Sequence, residues 1–254
     1  MRFRLPLAVL LAATAFTTSV VSQSAPVVRG INGSWENYPV RGDGFGSGVQ
    51  PKVRVPAPTP IPEPPLKQPH LDAWRATQQQ NAALTKQGLP PLSTGMACMP
   101  EGMPAMMQGT FPMEILETPG QVTIIQEAYN QVRRVYLGAK PIAPEDAEPR
   151  YAGHSTGRWD GNTLVVETVG VKDSARFRNT PHSLQRRITE RFRLINDEIL
   201  ENQVTVTDPE YLAKPWTWTW MYKRWADYQI QEYVCDDNRY FEDPTLKYQR
   251  LKVN

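Results

Sequence analysis

Two histidines are the side chains of this chain best suited to acid–base chemistry. His154 and His182 each directly precede a serine and a predicted strand, so both imidazoles could reach one rim of a sheet structure. Histidine titrates near neutral pH and is a common metal ligand. The spacing of the two residues matches no established metal motif. We therefore treat them as catalytic candidates without metal or cofactor, and keep a purely structural role at turns as the alternative.

Two glutamates fall on the apolar faces of predicted strands and are the second pair of catalytic candidates. Side chains two residues apart share a strand face, which places Glu190 beside Ile188 and gives Glu232 similarly apolar neighbours. An isolated buried carboxylate is costly, so each must be paired or protonated. A protonated glutamate would have a raised pKa, as general acids and bases near neutral pH often do. The alternative is a structural ion pair with an arginine such as Arg134 or Arg158.

Four aromatic side chains alternate along one predicted strand and therefore share a face. They are Trp216, Trp218, Trp220 and Tyr222. Such rings could line a cavity for a small apolar or aromatic molecule, which makes them ligand-binding candidates. The same pattern is typical of an ordinary core. If the stripe faced outward, it would favour an interface with another segment or subunit.

Positioning these side chains requires a mainly β domain. Short runs rich in Val, Ile, Thr, Tyr and Trp, separated by Gly, Pro, Asn and Asp, predict an antiparallel meander. The predicted strands are Met113–Leu116, Val122–Glu127, Val132–Leu137, Thr156–Trp159, Thr163–Thr168, Arg187–Leu194, Ile199–Thr207, Trp216–Lys223 and Tyr228–Cys235. Asp160-Gly161 and Asn196-Asp197 are predicted turns. A lipocalin-like barrel would protect the strand edges, with a β-sandwich as the alternative.

The chain before these strands divides into three parts. Residues 1–25 have two arginines, an apolar run and small residues in the order of a secretory signal peptide. Residues 26–69 are rich in Gly and Pro and predict an extended strap. A helix is predicted from Leu71 to Gln87, and residues 70–254 are expected to form one domain of this helix and the barrel.

Charge and cysteine content bear on compartment and partners. Loss of the predicted signal peptide removes two positive charges from a formal net charge of +2, which leaves about zero. We therefore expect no nucleic-acid partner. The predicted signal peptide, whose apolar run is too short for a membrane span, predicts a periplasmic or secreted location without stable membrane insertion. In an oxidising compartment Cys98 and Cys235 are expected to pair, with two buried free thiols as the alternative. The methionine-rich stretch 99–107 favours adaptable packing over copper(I) binding.

Several motifs resemble those of a family of exported bacterial proteins of uncharacterised activity. The residues that carry the resemblance are Cys98 to Pro104 (CMPEGMP), Pro112 to Leu137 (PMEILETPGQVTIIQEAYNQVRRVYL), Gly153 to Thr168 (GHSTGRWDGNTLVVET), Pro181-His182-Ser183 and Glu232 to Cys235 (EYVC). The likeness extends over nearly the whole mature chain. It implies export and a single folded unit, and implies no particular reaction.

Three functions are compatible with these patterns. The preferred hypothesis is a barrel protein that binds a small hydrophobic or aromatic molecule. The first alternative is a cofactor-free lyase or isomerase that uses histidine and glutamate for proton transfer. The second alternative is an envelope interaction module that uses the strap and the aromatic stripe. The pattern predicts neither the ligand nor the oligomeric state.

Overall fold

The computed structural model describes the backbone of strands 240–243 and 248–251 and, in full, residues 30–41, 46–89, 99–108 and 110–234. The predicted signal peptide lies outside these residues, as do Cys98 and Cys235. Export and the cysteine pairing therefore stay predictions.

Nine strands close into a barrel in chain order, with the ninth strand pairing with the first. The strands are β1 (Gly33–Tyr38), β2 (Met113–Thr118), β3 (Gln121–Gln126), β4 (Gln131–Leu137), β5 (His154–Asp160), β6 (Thr163–Val169), β7 (Arg187–Asn196), β8 (Ile199–Thr207) and β9 (Trp216–Arg224). The predicted barrel is confirmed, and the sandwich alternative is wrong. Both predicted turns are displaced by one residue, to Gly161-Asn162 and Asp197-Glu198.

One barrel strand comes from a part of the chain predicted to be irregular. β1 lies within residues 26–69 and pairs with both β2 and β9. Trp35 of β1 joins the apolar core, whereas Glu36 on the other face pairs with Lys223 at 3.4 Å. The prediction of a strand at Tyr228–Cys235 is wrong over its described part, since residues 228–234 form no strand. Glycines and prolines surround β1, and the alternation of polar and apolar side chains over its six residues was too short to predict a strand.

A parallel strand pair interrupts the predicted antiparallel meander. β4 and β5 run in the same direction and pair over three positions, from Val135–Ser155 to Leu137–Gly157. A parallel pair requires a crossover connection, which is formed here by residues 138–153. This crossover contains one 3₁₀ turn at Pro144–Asp146 among otherwise irregular residues. Alternation along a strand does not depend on its direction, so the sequence pattern could not distinguish the two arrangements.

The single helix of the described residues, α1 (His70–Lys86), confirms the predicted helix to within one residue at each end. Its buried side chain is Trp74, whose indole N–H donates a hydrogen bond to the carbonyl oxygen of Arg178 at 2.8 Å. Within the described part of the chain, no helix is long and apolar enough to cross a membrane.

Residues 46–69, which precede α1, contact the barrel through hydrogen bonds. Residues 46–69 contain one isolated bridge, which pairs Leu66 with Leu212, and otherwise no regular element. The indole N–H of Trp216 donates to the carbonyl oxygen of Pro62 at 3.0 Å. A chain rich in proline lacks backbone donors, so bonds from barrel side chains to its carbonyl oxygens are a natural means of attachment.

A methionine-rich segment, residues 99–108, closes the end of the barrel at which β5, β7 and β9 begin. Met103, Met106 and Met107 are fully buried, which agrees with the expected packing role. The Tyr222 hydroxyl donates to the carbonyl oxygen of Met107 at 2.6 Å. Gly102 has a φ of +69°, and a Cβ there would lie 2.7 Å from the carbonyl oxygen of Tyr151. This close approach requires glycine.

Two further strands follow the barrel. β10 (Tyr240–Asp243) and β11 (Tyr248–Leu251) pair antiparallel as a two-stranded sheet separate from the barrel sheet.

Candidate functional site

Glu190 forms a buried ion pair with Arg133 inside the barrel. The two side chains are 0% and 1% exposed, and Glu190 Oε2 accepts from Arg133 Nη2. Asn202 Nδ2 donates to the other carboxylate oxygen at 3.0 Å. Arg133 also donates to the hydroxyls of Ser155 and Thr168, at 3.1 and 2.9 Å. Five polar side chains thus form one network within an otherwise apolar core.

The sequence pattern predicted a structural ion pair with an arginine as the alternative role of Glu190. The structure has such a pair, but its arginine is Arg133. Arg133, rather than the predicted Arg134 or Arg158, faces inward, because β4 places Gln131, Arg133 and Val135 on its buried face. Both carboxylate oxygens of Glu190 have partners. Two atoms of the network, Arg133 Nη1 and Asn202 Oδ1, have no hydrogen-bond partner among the described residues.

The aromatic stripe of β9 belongs to the barrel core. Trp216, Trp218, Trp220 and Tyr222 all point inward and are buried. Phe177, from the connection between β6 and β7, covers the three tryptophans, with ring centroids 5.7, 5.2 and 5.8 Å away in chain order. Of the alternatives for this stripe, the geometry favours core over an outward interface.

His182 lies in a small pocket of about 10 Å³ over the closed end of the barrel, which we call the mouth pocket. Its lining includes His182, Arg186, Asp208, Phe177, Val206 and Trp216. The imidazole Nδ1 donates to the carbonyl oxygen of Ser183 at 3.2 Å, while Nε2 is buried and has no hydrogen-bond partner in the described part of the chain. Burial, and then the positive charge of Arg186, lower the pKa of His182 to about 4. His182 is therefore a neutral imidazole at neutral pH, with an open acceptor nitrogen.

His154 lies at the same end of the barrel as His182 but on the outer wall. Its Nε2 donates to the carbonyl oxygen of Glu148 at 2.8 Å. Both histidines thus reach one rim, as their positions before strands predicted. They line different cavities, because the mouth pocket and the cavity beside His154 share no residue.

The cavity beside His154 is a cleft of about 240 Å³ between β4 and the crossover, which we call the wall cleft. β4 contributes Val132, Arg134 and Tyr136, and the crossover contributes Lys140, Ile142 and Arg150. The cleft exists because the crossover must leave β4 and return beside it to begin the parallel strand β5. Gly170 allows the crossover to pack closely against the chain after β6, because a Cβ at this position would lie 2.6 Å from Ala147 Cβ.

The wall cleft is basic and partly apolar. Arg134, Lys140, Arg150 and His154 are among its lining residues, and no lining residue is acidic. Arg150 pairs with the exposed Glu148 at 2.9 Å, whereas Arg134 and Lys140 have no ion-pair partner among the described residues. Tyr136 and Val132, which lie on the outer face of β4, are 50% and 42% exposed and give the cleft an apolar part. The combination suits an anion that carries an apolar group.

The four predicted catalytic side chains do not converge. Glu232 lies exposed in the irregular segment after β9, because the strand predicted for it does not form. Glu190 is inside the barrel, His182 lines the mouth pocket and His154 lines the wall cleft. Neither cavity contains more than one of the four. No group of three or more His, Cys, Asp or Glu within the described residues could hold a metal ion.

The sequence interpretation missed the cationic residues that give both cavities their character. Arg186 is buried at the mouth pocket, and Arg134 and Lys140 line the wall cleft. Alternation gave a usable signal only for Arg134, which faces outward beside two exposed apolar residues of the same strand. The other two lie in connections, where residue spacing does not predict direction.

Comparison with protein-family models and with curated protein sequences finds no match to this chain. The resemblance to an exported bacterial family therefore stays a prediction, and the candidate sites depend on geometry alone.

Proposed function

We propose that the protein is an exported binding protein for a small organic anion with an aromatic or apolar group, which it holds in the wall cleft. This keeps the small apolar or aromatic partner expected from the sequence. It moves the binding site from the barrel interior to the outer wall. The single observation that carries the proposal is a basic cleft without acidic residues next to exposed Tyr136 and Val132.

The size of the wall cleft supports a ligand of about one ring. Its volume of about 240 Å³ exceeds the roughly 150 Å³ of a cavity that accommodates benzene. It lies just below the range of about 300–1,000 Å³ that is typical of ligand pockets. A benzoate-sized molecule is therefore the natural occupant.

The charges of the wall cleft support an anionic group on the ligand. Arg134 and Lys140 face the cleft from opposite sides, β4 and the crossover. An arginine can hold a carboxylate through two parallel hydrogen bonds, and a lysine adds a point charge. The ring would then lie against Tyr136, whose face is exposed. Export is supported by the composition of residues 1–25, and the likeness to lipocalins remains an analogy of fold.

The geometry supports the other two hypotheses less well. Proton transfer by His154, His182, Glu190 and Glu232 would require a shared cavity, and these groups lie in four different surroundings. An interaction module was expected to use the aromatic stripe, which is buried within the barrel.

Calorimetric titration with benzoate tests the proposal, with neutral benzyl alcohol as the matched uncharged ligand. We expect saturable binding of benzoate and much weaker binding of benzyl alcohol. Arg134→Gln and Lys140→Gln should each weaken benzoate binding about fivefold, which corresponds to roughly 1 kcal/mol for an exposed ion pair.

Arg158→Gln is the control, because Arg158 is an exposed arginine on the outer face of β5 and does not line the cleft. Its benzoate affinity should equal that of the wild type. Absence of saturable benzoate binding, or an equal loss in Arg158→Gln, would show that the wall cleft is not the site.

A further inference from the structure

The mouth pocket contains a buried arginine that has no ion-pair partner among the described residues. Arg186 is 5% exposed, and its hydrogen bond from Nη2 to the carbonyl oxygen of Met103, at 3.2 Å, is to a neutral group. Its Nε is buried, and no described residue accepts a hydrogen bond from it. A cation buried in this way is costly unless an anion compensates it.

The acidic residues near Arg186 are occupied elsewhere. Asp208 accepts hydrogen bonds from the backbone N–H and the hydroxyl of Ser183, at 2.7 and 2.9 Å, and from the N–H groups of Glu210 and Tyr211. Asp173 pairs with Arg176 at 3.7 Å. The charges of both aspartates reach Arg186, but neither lies within ion-pair distance. Arg186 Nε–H is therefore left as an open charged donor.

His182 presents a second open atom to the same pocket. Its Nδ1–H donates to the Ser183 carbonyl oxygen, which leaves the buried Nε2 of the neutral ring without a hydrogen-bond partner among the described residues, and His182 lines the pocket. The charged groups that act on this ring are Arg186, Asp173 and Asp208. A lone pair repels an anion, whereas a protonated ring would donate a hydrogen bond to it.

We propose that the mouth pocket binds a small monovalent anion that pairs with Arg186, and that in mildly acidic solution anion binding is coupled to partial proton uptake by His182. The pocket volume of about 10 Å³ is close to that of one water-sized group. The occupant is therefore a halide ion or the carboxylate end of a small acid. This site is separate from the wall cleft, with which it shares no residue.

Titration of His182 by ¹⁵N NMR tests the proposal, with sodium chloride and sodium formate as separate probes. Ionic strength is held constant with sodium sulfate, whose larger divalent anion does not suit so small a pocket. We expect saturable shifts of the His182 ring and a rise in its pKa of about 1 to 2, the usual effect of an opposite charge nearby. Saturation by both probes, or by chloride alone, indicates a halide site. Saturation by formate alone indicates a carboxylate site.

Arg186→Met should abolish both effects, and Arg187→Gln is the control, since Arg187 pairs with Glu167 at 2.8 Å outside the pocket. If Arg186→Met does not fold, Arg186→Lys keeps the charge without the planar fork and should weaken binding at least several-fold. The proposal is overturned if neither anion produces saturable shifts in the folded wild-type protein. It is also overturned if the shifts persist in Arg186→Met.

Discussion

At the residue scale, Glu190 shows both the strength and the limit of inference from alternation. Its place on the apolar face of β7 was predictable from a period of two, and so was its need for a partner. The identity of the partner was not, because each face of β4 carries an arginine together with apolar residues. Packing against β5 and β6 decides the matter, since only Arg133 can reach both Ser155 and Thr168.

Replacing Glu190 tests how much the buried ion pair between Glu190 and Arg133 contributes to the free energy of unfolding. We expect Glu190→Gln to lower the free energy of unfolding by about 3–5 kcal/mol, because it leaves Arg133 charged, buried and unpaired. Urea denaturation gives the value. Glu167→Gln is the matched control, since Glu167 pairs with Arg187 on the outer face and is 39% exposed, and it should cost less than about 1 kcal/mol. Similar losses in the two variants would contradict the account.

His182 should make stability depend on pH. Its pKa is about 4 in the folded protein and near 6.5 when unfolded, so between these values the unfolded chain binds more protons. The free energy of unfolding therefore rises with pH across this window, by about 3 kcal/mol in total. The difference in unfolding free energy between wild type and His182→Gln, measured from pH 4 to 7, should show this rise. A difference that is independent of pH would contradict the assignment.

At the element scale, the sequence pattern predicted the long strands well and missed a short strand that depends on partners from distant parts of the chain. β7 to β9 lie close to their predicted bounds, because alternating Thr, Val, Ile and Trp over nine or ten residues leaves little choice. β1 was hidden because six residues between irregular segments carry too little signal. It forms because β2 and β9 supply partners on both of its edges, which is information from distant parts of the chain.

Gly102 tests how the methionine-rich segment closes the barrel. Gly102→Ala should destabilise the protein by about 3 kcal/mol, since the left-handed conformation costs roughly 1–2 kcal/mol and the new Cβ meets the backbone of Tyr151. Gly120→Ala is the control, because Gly120 has a φ of +77° with open space around it, and should show the conformational cost alone. Thermal unfolding of both variants gives the comparison. Equal losses would mean that the close approach is unimportant.

At the scale of the whole molecule, a closed barrel was predictable because successive strands without helical crossovers need protected edges. The parallel pair was not, and it is this pair that creates the wall cleft. The predicted disulfide between Cys98 and Cys235 stays a prediction. Glu101 and Tyr233, which are close to the two cysteines in sequence, both raise the pKa of the Tyr129 hydroxyl, although burial contributes most to this rise. The proposed binding site therefore depends on the parallel strand pair, which the local sequence pattern does not predict.

The most direct test of binding in the wall cleft is a map of benzoate binding by NMR chemical shifts on the isotopically labelled protein. The account predicts saturable shifts concentrated at Val132, Tyr136 and His154, which line the wall cleft. Shifts concentrated at Trp218 in the barrel interior, or no saturable shifts at all, would contradict it.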